Sequence, residues 1–102
     1  MTMEQWTRSE WEQRMQQHEQ CAFFIYAPTC GTCDVAERIL KVIEKLLPDL
    51  PIGMANINYL EDLAYDLKIE SVPCLLVSNN GQLQEKIYAF KSVPFLYEIL
   101  KK

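Results

Sequence analysis

Residues 28–33 have the sequence Pro-Thr-Cys-Gly-Thr-Cys, and residues 21–26, Cys-Ala-Phe-Phe-Ile-Tyr, precede them as an uninterrupted apolar run. Such a run predicts a buried central strand, and the chain after Cys33 shows helical spacing of apolar residues. Unpaired amides at the start of a helix lower the pKa of a thiol placed there, here that of Cys30. Cys33 lies one turn further on the same helix face, close enough to form a disulfide with Cys30. The stretch therefore predicts a strand–helix junction that presents a redox-active pair of thiols.

The composition is that of one small globular domain, which we place at residues 1–102. Ten basic and 14 acidic residues give a net charge of −4. This balance argues against nucleic acid or an anionic membrane as a partner, because both need a basic face. No apolar run approaches the roughly 18–20 residues of a membrane span, and residues 1–20 lack the apolar centre of a secretory signal. With Met1 at its start, the chain is expected to be cytoplasmic, without a membrane partner.

The rest of the chain predicts alternating helices and strands. Thr7 and Glu10 have the spacing of a capping box, which predicts a helix from there to about residue 18. Asn80-Gly81 is typical of a tight turn, here between two antiparallel strands at residues 74–78 and 84–90. The other predicted elements are helix 33–47, strand 52–57, helix 60–67 and helix 93–100. This order predicts an α/β fold: a mixed sheet of four to five strands with helices on both faces.

The order of elements, with CxxC at a strand–helix junction and Val72-Pro73 further along the chain, resembles the thioredoxin family. The resemblance covers nearly the whole chain and rests on Cys30-Gly31-Thr32-Cys33, Val72-Pro73 and Asn80-Gly81. CxxC also occurs in zinc sites, but no second CxxC or Cys/His pair accompanies it in this sequence. The resemblance implies a thioredoxin-like fold and thiol–disulfide oxidoreductase activity.

The resemblance also implies a role for each site residue. Cys30 would be the nucleophile that attacks a substrate disulfide, and Cys33 the thiol that resolves the mixed disulfide. Pro73 would be in the cis form facing the pair, with the Val72 backbone pairing with an extended substrate peptide. The residues expected to contact substrate are Thr29, Gly31, Thr32, Val72 and Pro73. No cofactor or metal is implied. The expected partners are disulfide-containing client proteins and a separate reductase or low-molecular-weight thiol as electron donor, and we expect a monomer.

Several positions depart from the pattern typical of thioredoxins. Thr29 stands where they have Trp, and Thr32 stands where they have Pro, which places a hydroxyl near the Cys30 sulfur. Phe24 and Met54 match the positions of a buried Asp and Lys that assist deprotonation of the second cysteine. Because both charges are absent together, we predict apolar packing there and slower resolution of the mixed disulfide.

Two alternatives remain open for the pair. The first is a redox-responsive interaction module, in which oxidation of Cys30 and Cys33 switches partner binding with little turnover. The second is a metal site that the two cysteines share between two chains. Outside the pair, Cys74 is either a third exchanging thiol or a buried apolar residue, and the second interpretation is favoured. Cys21 is interpreted as structural.

Overall fold

The computed structural model describes residues 3–101. Within them the chain forms a five-stranded mixed sheet and four α-helices. The strands are β1 (Glu4–Gln5), β2 (Gln20–Tyr26), β3 (Ile52–Asn56), β4 (Cys74–Asn79) and β5 (Gln82–Ile87). The helices are α1 (Arg8–Gln17), α2 (Gly31–Leu46), α3 (Glu61–Leu67) and α4 (Val93–Leu100), with a 3₁₀ turn at Ile57–Tyr59. The predicted order of elements is confirmed, and a short strand, β1, precedes the first helix.

Strand β2 is the centre of the sheet, whose order is β1-β3-β2-β4-β5. It pairs parallel with β3 and antiparallel with β4. Residues 21–25 are fully buried, as expected for an apolar strand covered on both faces. The chain that leads into the two cysteines of the motif is therefore held on both sides.

Two apolar cores lie on opposite faces of this sheet. Along β2, Ala22 and Phe24 point into one core, and Cys21, Phe23 and Ile25 point into the other, because successive strand residues alternate in direction. The first, the α2/α4 core, contains buried residues of α2 and α4, and the second, the α1/α3 core, contains buried residues of α1 and α3. The predicted placement of helices on both faces is confirmed.

The start of α1 has the predicted capping box. The Thr7 Oγ1 accepts a hydrogen bond from the Glu10 amide at 3.1 Å, and the Glu10 Oε1 accepts one from the Thr7 amide at 2.9 Å. The helix ends at Gln17, within one residue of the predicted end. The two bonds satisfy two amides that the helix itself leaves unpaired.

The β4–β5 hairpin forms at the predicted turn, but its second strand is displaced from the predicted bounds. Asn80 and Gly81 have φ values of 55° and 82°, the left-handed conformation that a two-residue hairpin turn requires. Asn79 therefore pairs directly with Gln82, and β5 runs over Gln82–Ile87. The prediction of a strand at 84–90 was wrong at both ends, because a turn this short returns the chain to the ladder at once.

Strand β1 lies at the edge of the sheet and places an aromatic ring against β3. The Trp6 amide donates to the Met54 carbonyl at 2.9 Å, and β1 pairs with Gly53 and Met54. A Cβ atom built on Gly53 would overlap the Trp6 ring. Glycine at this position lets the indole lie directly on the strand.

Candidate active site

The two cysteines of the motif form a disulfide at the start of α2. Cys30 is the N-cap residue of the helix, and its Sγ accepts a hydrogen bond from the Cys33 amide at 3.1 Å. Their Cα atoms are 5.2 Å apart, within the range typical of disulfides. The predicted helix start at residue 33 is two residues late, because the sulfur itself caps the helix from residue 30. The Cys30 sulfur therefore both caps the helix and takes part in the disulfide.

The two sulfur-bearing residues differ in their access to solvent. Cys30 is half-buried, whereas Cys33 is 3 % exposed and packs in the α2/α4 core. A substrate can therefore approach Cys30 from outside, while Cys33 is reached only from within the protein. Such an asymmetry suits a pair in which one thiol meets the substrate and the other acts afterwards.

Thr32 is the spacer residue whose side chain contacts the pair. Its Oγ1 lies 3.4 Å from the Cys30 Sγ, so that the hydroxyl predicted near this sulfur is present. Thr29 and Gly31 are exposed on either side of Cys30. Two donors, the Thr32 hydroxyl and the Cys33 amide, can therefore point at the Cys30 sulfur when it carries negative charge.

The Val72–Pro73 segment lies at the same end of the sheet as the cysteine pair. Its peptide bond is cis, and β4 begins at the next residue, Cys74. Cys74 pairs with Ile25, one residue before the end of β2, so that the start of β4 and the end of β2 are neighbours. Val72 is half-buried and Pro73 is buried. The sequence-predicted site residues are thus brought together at one end of the central strands.

Beneath Cys33 the sheet is apolar, as predicted. Phe24 and Met54 are register partners on β2 and β3, are 0 % and 7 % exposed, and belong with Cys33 to the α2/α4 core. The Phe24 ring also contacts Phe90 edge-on, with centroids 5.8 Å apart. Neither position offers Cys33 a group that could take its proton.

Tyr26 is a site neighbour that the sequence analysis did not single out. Its ring stacks on Phe24 with centroids 5.9 Å apart, and it packs against the same core as Cys30. The alternation along β2 was the available signal, because it places Tyr26 on the face shared by Ala22 and Phe24. Tyr26 therefore forms part of the wall next to the motif.

The remaining cysteines lie on the other face of the sheet. Cys21 and Cys74 are both 0 % exposed and belong to the α1/α3 core, whereas Cys33 belongs to the α2/α4 core. Burial raises the pKa of each thiol to about 11. Both are therefore protonated near neutral pH, which supports their interpretation as buried apolar residues.

Nowhere in residues 3–101 do three or more His, Cys, Asp or Glu side chains come together in a group that could hold a metal ion. Among the helices of that same range, none has the length and apolar character needed to cross a membrane.

The chain is similar to known proteins along most of its length. The family model described as Thioredoxin matches residues 2–102. The thioredoxin-like protein YusE of Bacillus subtilis (strain 168) is 43% identical over 79 residues, which cover 78% of this chain and 74% of YusE. A thioredoxin H-type of Fagopyrum esculentum is 25% identical over 97 residues, which cover 91% of this chain and 84% of that protein.

A solved structure has the same architecture. The crystal structure of oxidized mitochondrial thioredoxin 3 from Saccharomyces cerevisiae aligns with a TM-score of 0.86 over 97% of this chain and 93% of that one. Its sequence identity of 21% is low, so that the likeness establishes the fold alone.

Proposed function

This chain belongs to the thioredoxin family, has the thioredoxin fold and is a thiol–disulfide oxidoreductase, and from that premise we propose that it reduces disulfide bonds of client proteins. One observation carries the proposal. Cys30 is half-buried with its sulfur at the helix start, while its partner Cys33 is 3 % exposed behind it. This is the arrangement that a nucleophile and a resolving thiol need.

The reaction has two exchange steps. The Cys30 thiolate attacks one sulfur of the client disulfide, the client S–S bond breaks, and the other client sulfur leaves as a thiolate. Cys33 then loses its proton and attacks the Cys30 sulfur, which releases the second client thiol. The two electrons reach the client, and the protein is left with the Cys30–Cys33 disulfide seen in the structure. A separate reductase or a low-molecular-weight thiol restores the dithiol.

The residues around the pair fit roles in substrate contact. Thr29 and Gly31 are exposed beside Cys30, which leaves room for a client chain next to the reacting sulfur. Val72 precedes β4 at the same sheet end, and its backbone is suited to pair with an extended client segment in the manner of an added strand. Pro73 fixes the position of that segment against the sheet. Thr32 faces the sulfur itself.

The apolar surroundings of Cys33 set the expected pace of the second step. Phe24 and Met54 cannot accept the Cys33 proton, which must therefore pass to water or to a peripheral group. We therefore expect the mixed disulfide to persist longer than in relatives with a buried carboxylate. The same observation favours a second candidate function, a redox-responsive interaction module with little turnover.

Reduction of insulin disulfides separates the two functions when turnover is followed with excess dithiothreitol and oxidation is followed with prereduced protein without added dithiothreitol. Client reduction predicts many turnovers per protein molecule, whereas a redox switch predicts oxidation of one equivalent. Cys30→Ser should abolish the reaction, and Cys33→Ser should accumulate a mixed disulfide that mass spectrometry detects. Stoichiometric oxidation alone, without catalysis, contradicts the reductase and favours the switch.

We further infer one domain spanning residues 1–102, a monomer and a cytoplasmic location. The free thiols of Cys21 and Cys74 support a reducing compartment, because such thiols persist where disulfides are rare. Cell fractionation and sedimentation of the purified protein test the location and the oligomeric state. Recovery in an oxidising compartment, or a dimer at micromolar concentration, would contradict them.

A further inference from the structure

Helix α2 carries a row of apolar side chains that lie wholly or partly outside the α2/α4 core. Val35, Val42 and Leu46 are 53 %, 43 % and 50 % exposed, and Ile39 lies half-buried between them. Residues three and four positions apart share one helix face, so these four side chains form a single row, the α2 stripe. At 1.5 Å per residue the stripe is about 17 Å long. It is an exposed apolar surface of the kind that proteins use for contact with a partner.

The α2 stripe connects the motif to a cavity at the far end of the helix. Val35 lies one helical turn after Gly31, the exposed residue next to Cys30, so that the stripe begins close to the Cys30 side of the motif. At its other end Leu46 lines a cavity of about 470 Å³, together with Leu47, Leu50, Tyr97 and Leu100. A segment bound along the stripe would therefore start near Cys30 and could bury one large apolar side chain in the cavity at its other end.

One edge of the α2 stripe has an excess of positive charge, with Arg38 and Lys45 against Asp34, although the chain as a whole carries −4. Arg38 and Lys45 each follow a stripe residue by three positions and so lie beside Val35 and Val42 on the helix surface. Both are exposed, and neither forms an ion pair with another residue of the range 3–101. Their charges are available to a partner.

We propose that the α2 stripe docks an amphipathic helix of the client protein whose apolar side is edged by aspartate and glutamate. The inference rests on the proposed reduction of client disulfides and adds what selects the client. Apolar residues of that helix at spacings of three and four contact the stripe, and its acidic edge lies against Arg38 and Lys45. Docking then holds the client disulfide near Cys30 and raises its effective concentration there.

A second copy of this chain is a poorer occupant. Antiparallel two-fold pairing of the α2 stripes would bring Arg38 and Lys45 of one copy beside the same cations of the other, which is unfavourable. At about 17 Å long and one helix wide, the stripe is also much smaller than the roughly 800 Å² that a stable dimer buries on each partner. Size therefore argues against a second copy, and charge favours an acidic helix.

Three synthetic peptides with one common disulfide loop test the proposal. The first joins the loop to an acidic amphipathic helix, the second to the same helix with lysine in place of glutamate, and the third to a scrambled acidic sequence. We expect kcat/KM for the first to exceed that of the loop alone by about tenfold, with no gain for the scrambled peptide. The double variant Val42→Gln/Leu46→Gln should lose this gain and keep its activity on the loop alone.

Charge reversal gives a readout that loss of structure would not produce. The double variant Arg38→Glu/Lys45→Glu should transfer the gain from the acidic to the basic peptide. Tyr65→Gln and Lys68→Glu are the matched controls, because Tyr65 is exposed on α3 and Lys68 follows that helix on the opposite face of the sheet. Both controls should retain the preference of the unaltered protein.

The outcomes that overturn the docking proposal differ from those that overturn the proposed function. Equal rates for all peptides, or a gain that survives Val42→Gln/Leu46→Gln, refute docking while the loop alone is still reduced. If the loop is not reduced, the proposed function fails. In that case calorimetry measures the binding of the helix peptides without the loop. Tighter binding of the acidic helix than of the basic or scrambled one supports docking, and equal binding refutes it. A dimer that Val42→Gln/Leu46→Gln converts to monomer would assign the stripe to a second copy and also refute the proposal.

Discussion

Replacing Thr32 by valine tests whether the hydroxyl beside Cys30 sets the reactivity of the pair. Valine has nearly the shape of threonine but cannot donate a hydrogen bond, and Thr32 is exposed, so that the substitution leaves the packing intact. In the structure the Thr32 Oγ1 is 3.4 Å from the Cys30 Sγ, and the Cys33 amide donates to the same sulfur at 3.1 Å. The variant removes one of two donors.

The size of the effect follows from the charge that forms on the sulfur. A hydrogen bond to a charged group contributes about 1.5–3 kcal/mol, and a half-exposed sulfur at this distance belongs at the lower end. Thr32→Val should therefore raise the titration midpoint of the Cys30 thiol, because the thiolate loses a donor and the neutral thiol loses less. Because the hydroxyl stabilises the thiolate, and so the reduced protein, its loss should lower the reduction potential by up to about 30 mV.

Two measurements check this prediction. Ultraviolet absorbance of the thiolate against pH gives the titration midpoint, with Cys33 replaced by alanine; the buried Cys21 and Cys74 thiols respond separately, because burial raises their pKa to about 11. Equilibration in thiol/disulfide buffers followed by alkylation gives the potential of the intact pair. Thr32→Ser restores the hydroxyl and should restore both values, while Thr29→Val removes an exposed hydroxyl on the other side of Cys30 and should leave them unchanged.

An unchanged midpoint and potential in Thr32→Val would refute the reasoning. The Cys33 amide would then be the donor that matters at this sulfur. A shift of the same size in Thr29→Val would also refute it, because the effect would reflect general polarity around the motif.

Three further predictions concern the core and the second exchange step. Gly53→Ala forces a methyl group into the neighbouring indole and should lower the free energy of unfolding in urea by at least about 1–3 kcal/mol, whereas Gly31→Ala, with nothing within 4 Å of its Cβ, should change it little. Burial raises the pKa of Cys21 and Cys74 from 9.0 to about 11, so that the native state keeps protons that the unfolded chain loses. The free energy of unfolding should therefore fall as pH rises between these values, by up to about 3 kcal/mol per thiol. Phe24→Asp should shorten the lifetime of the mixed disulfide at least about tenfold, since a carboxylate beneath the resolving thiol can take its proton.

Each of these predictions has a control. Equal stability of the two glycine variants would contradict the described packing of the indole. The double variant Cys21→Ala/Cys74→Ala should show a flatter decline in stability with pH, and an identical slope would assign the decline to other groups. Phe24→Asn introduces a polar group that cannot act as a base. Equal lifetimes of the mixed disulfide in Phe24→Asn and Phe24→Asp would therefore contradict the proton-transfer argument.

Local chemistry made several parts of this fold predictable. The capping box at Thr7 and Glu10 and the turn at Asn80-Gly81 depend on residues close together in the chain, and both form as predicted. The buried strand at residues 21–26 was equally predictable, because a short uninterrupted apolar run rich in aromatic residues is typical of a buried strand. The cysteine pair followed from its place at the end of that strand.

Features that depend on packing between elements were not predictable in the same way. The apolar positions of α2 all fit a helical repeat, yet Leu40 and Ile43 are buried while Val42 and Leu46 are about half exposed. Periodicity alone cannot say which side of a broad apolar face its neighbours cover, since α4 and the sheet decide that. The same limit applies to Phe90, whose contact with Phe24 depends on the return of a distant segment.

The central position of β2 also affects how long the thiol pair keeps its geometry during thermal fluctuations. Edge strands such as β1 open through local fluctuations, whereas a strand paired on both sides and buried on both faces exchanges its amide protons only when most of the protein unfolds. Cys30 follows β2 by four residues and caps α2, so that we expect its position to be unchanged when the sheet edges fray. Loss of the site should therefore coincide with global unfolding, and the redox pair should remain competent as long as the protein is folded.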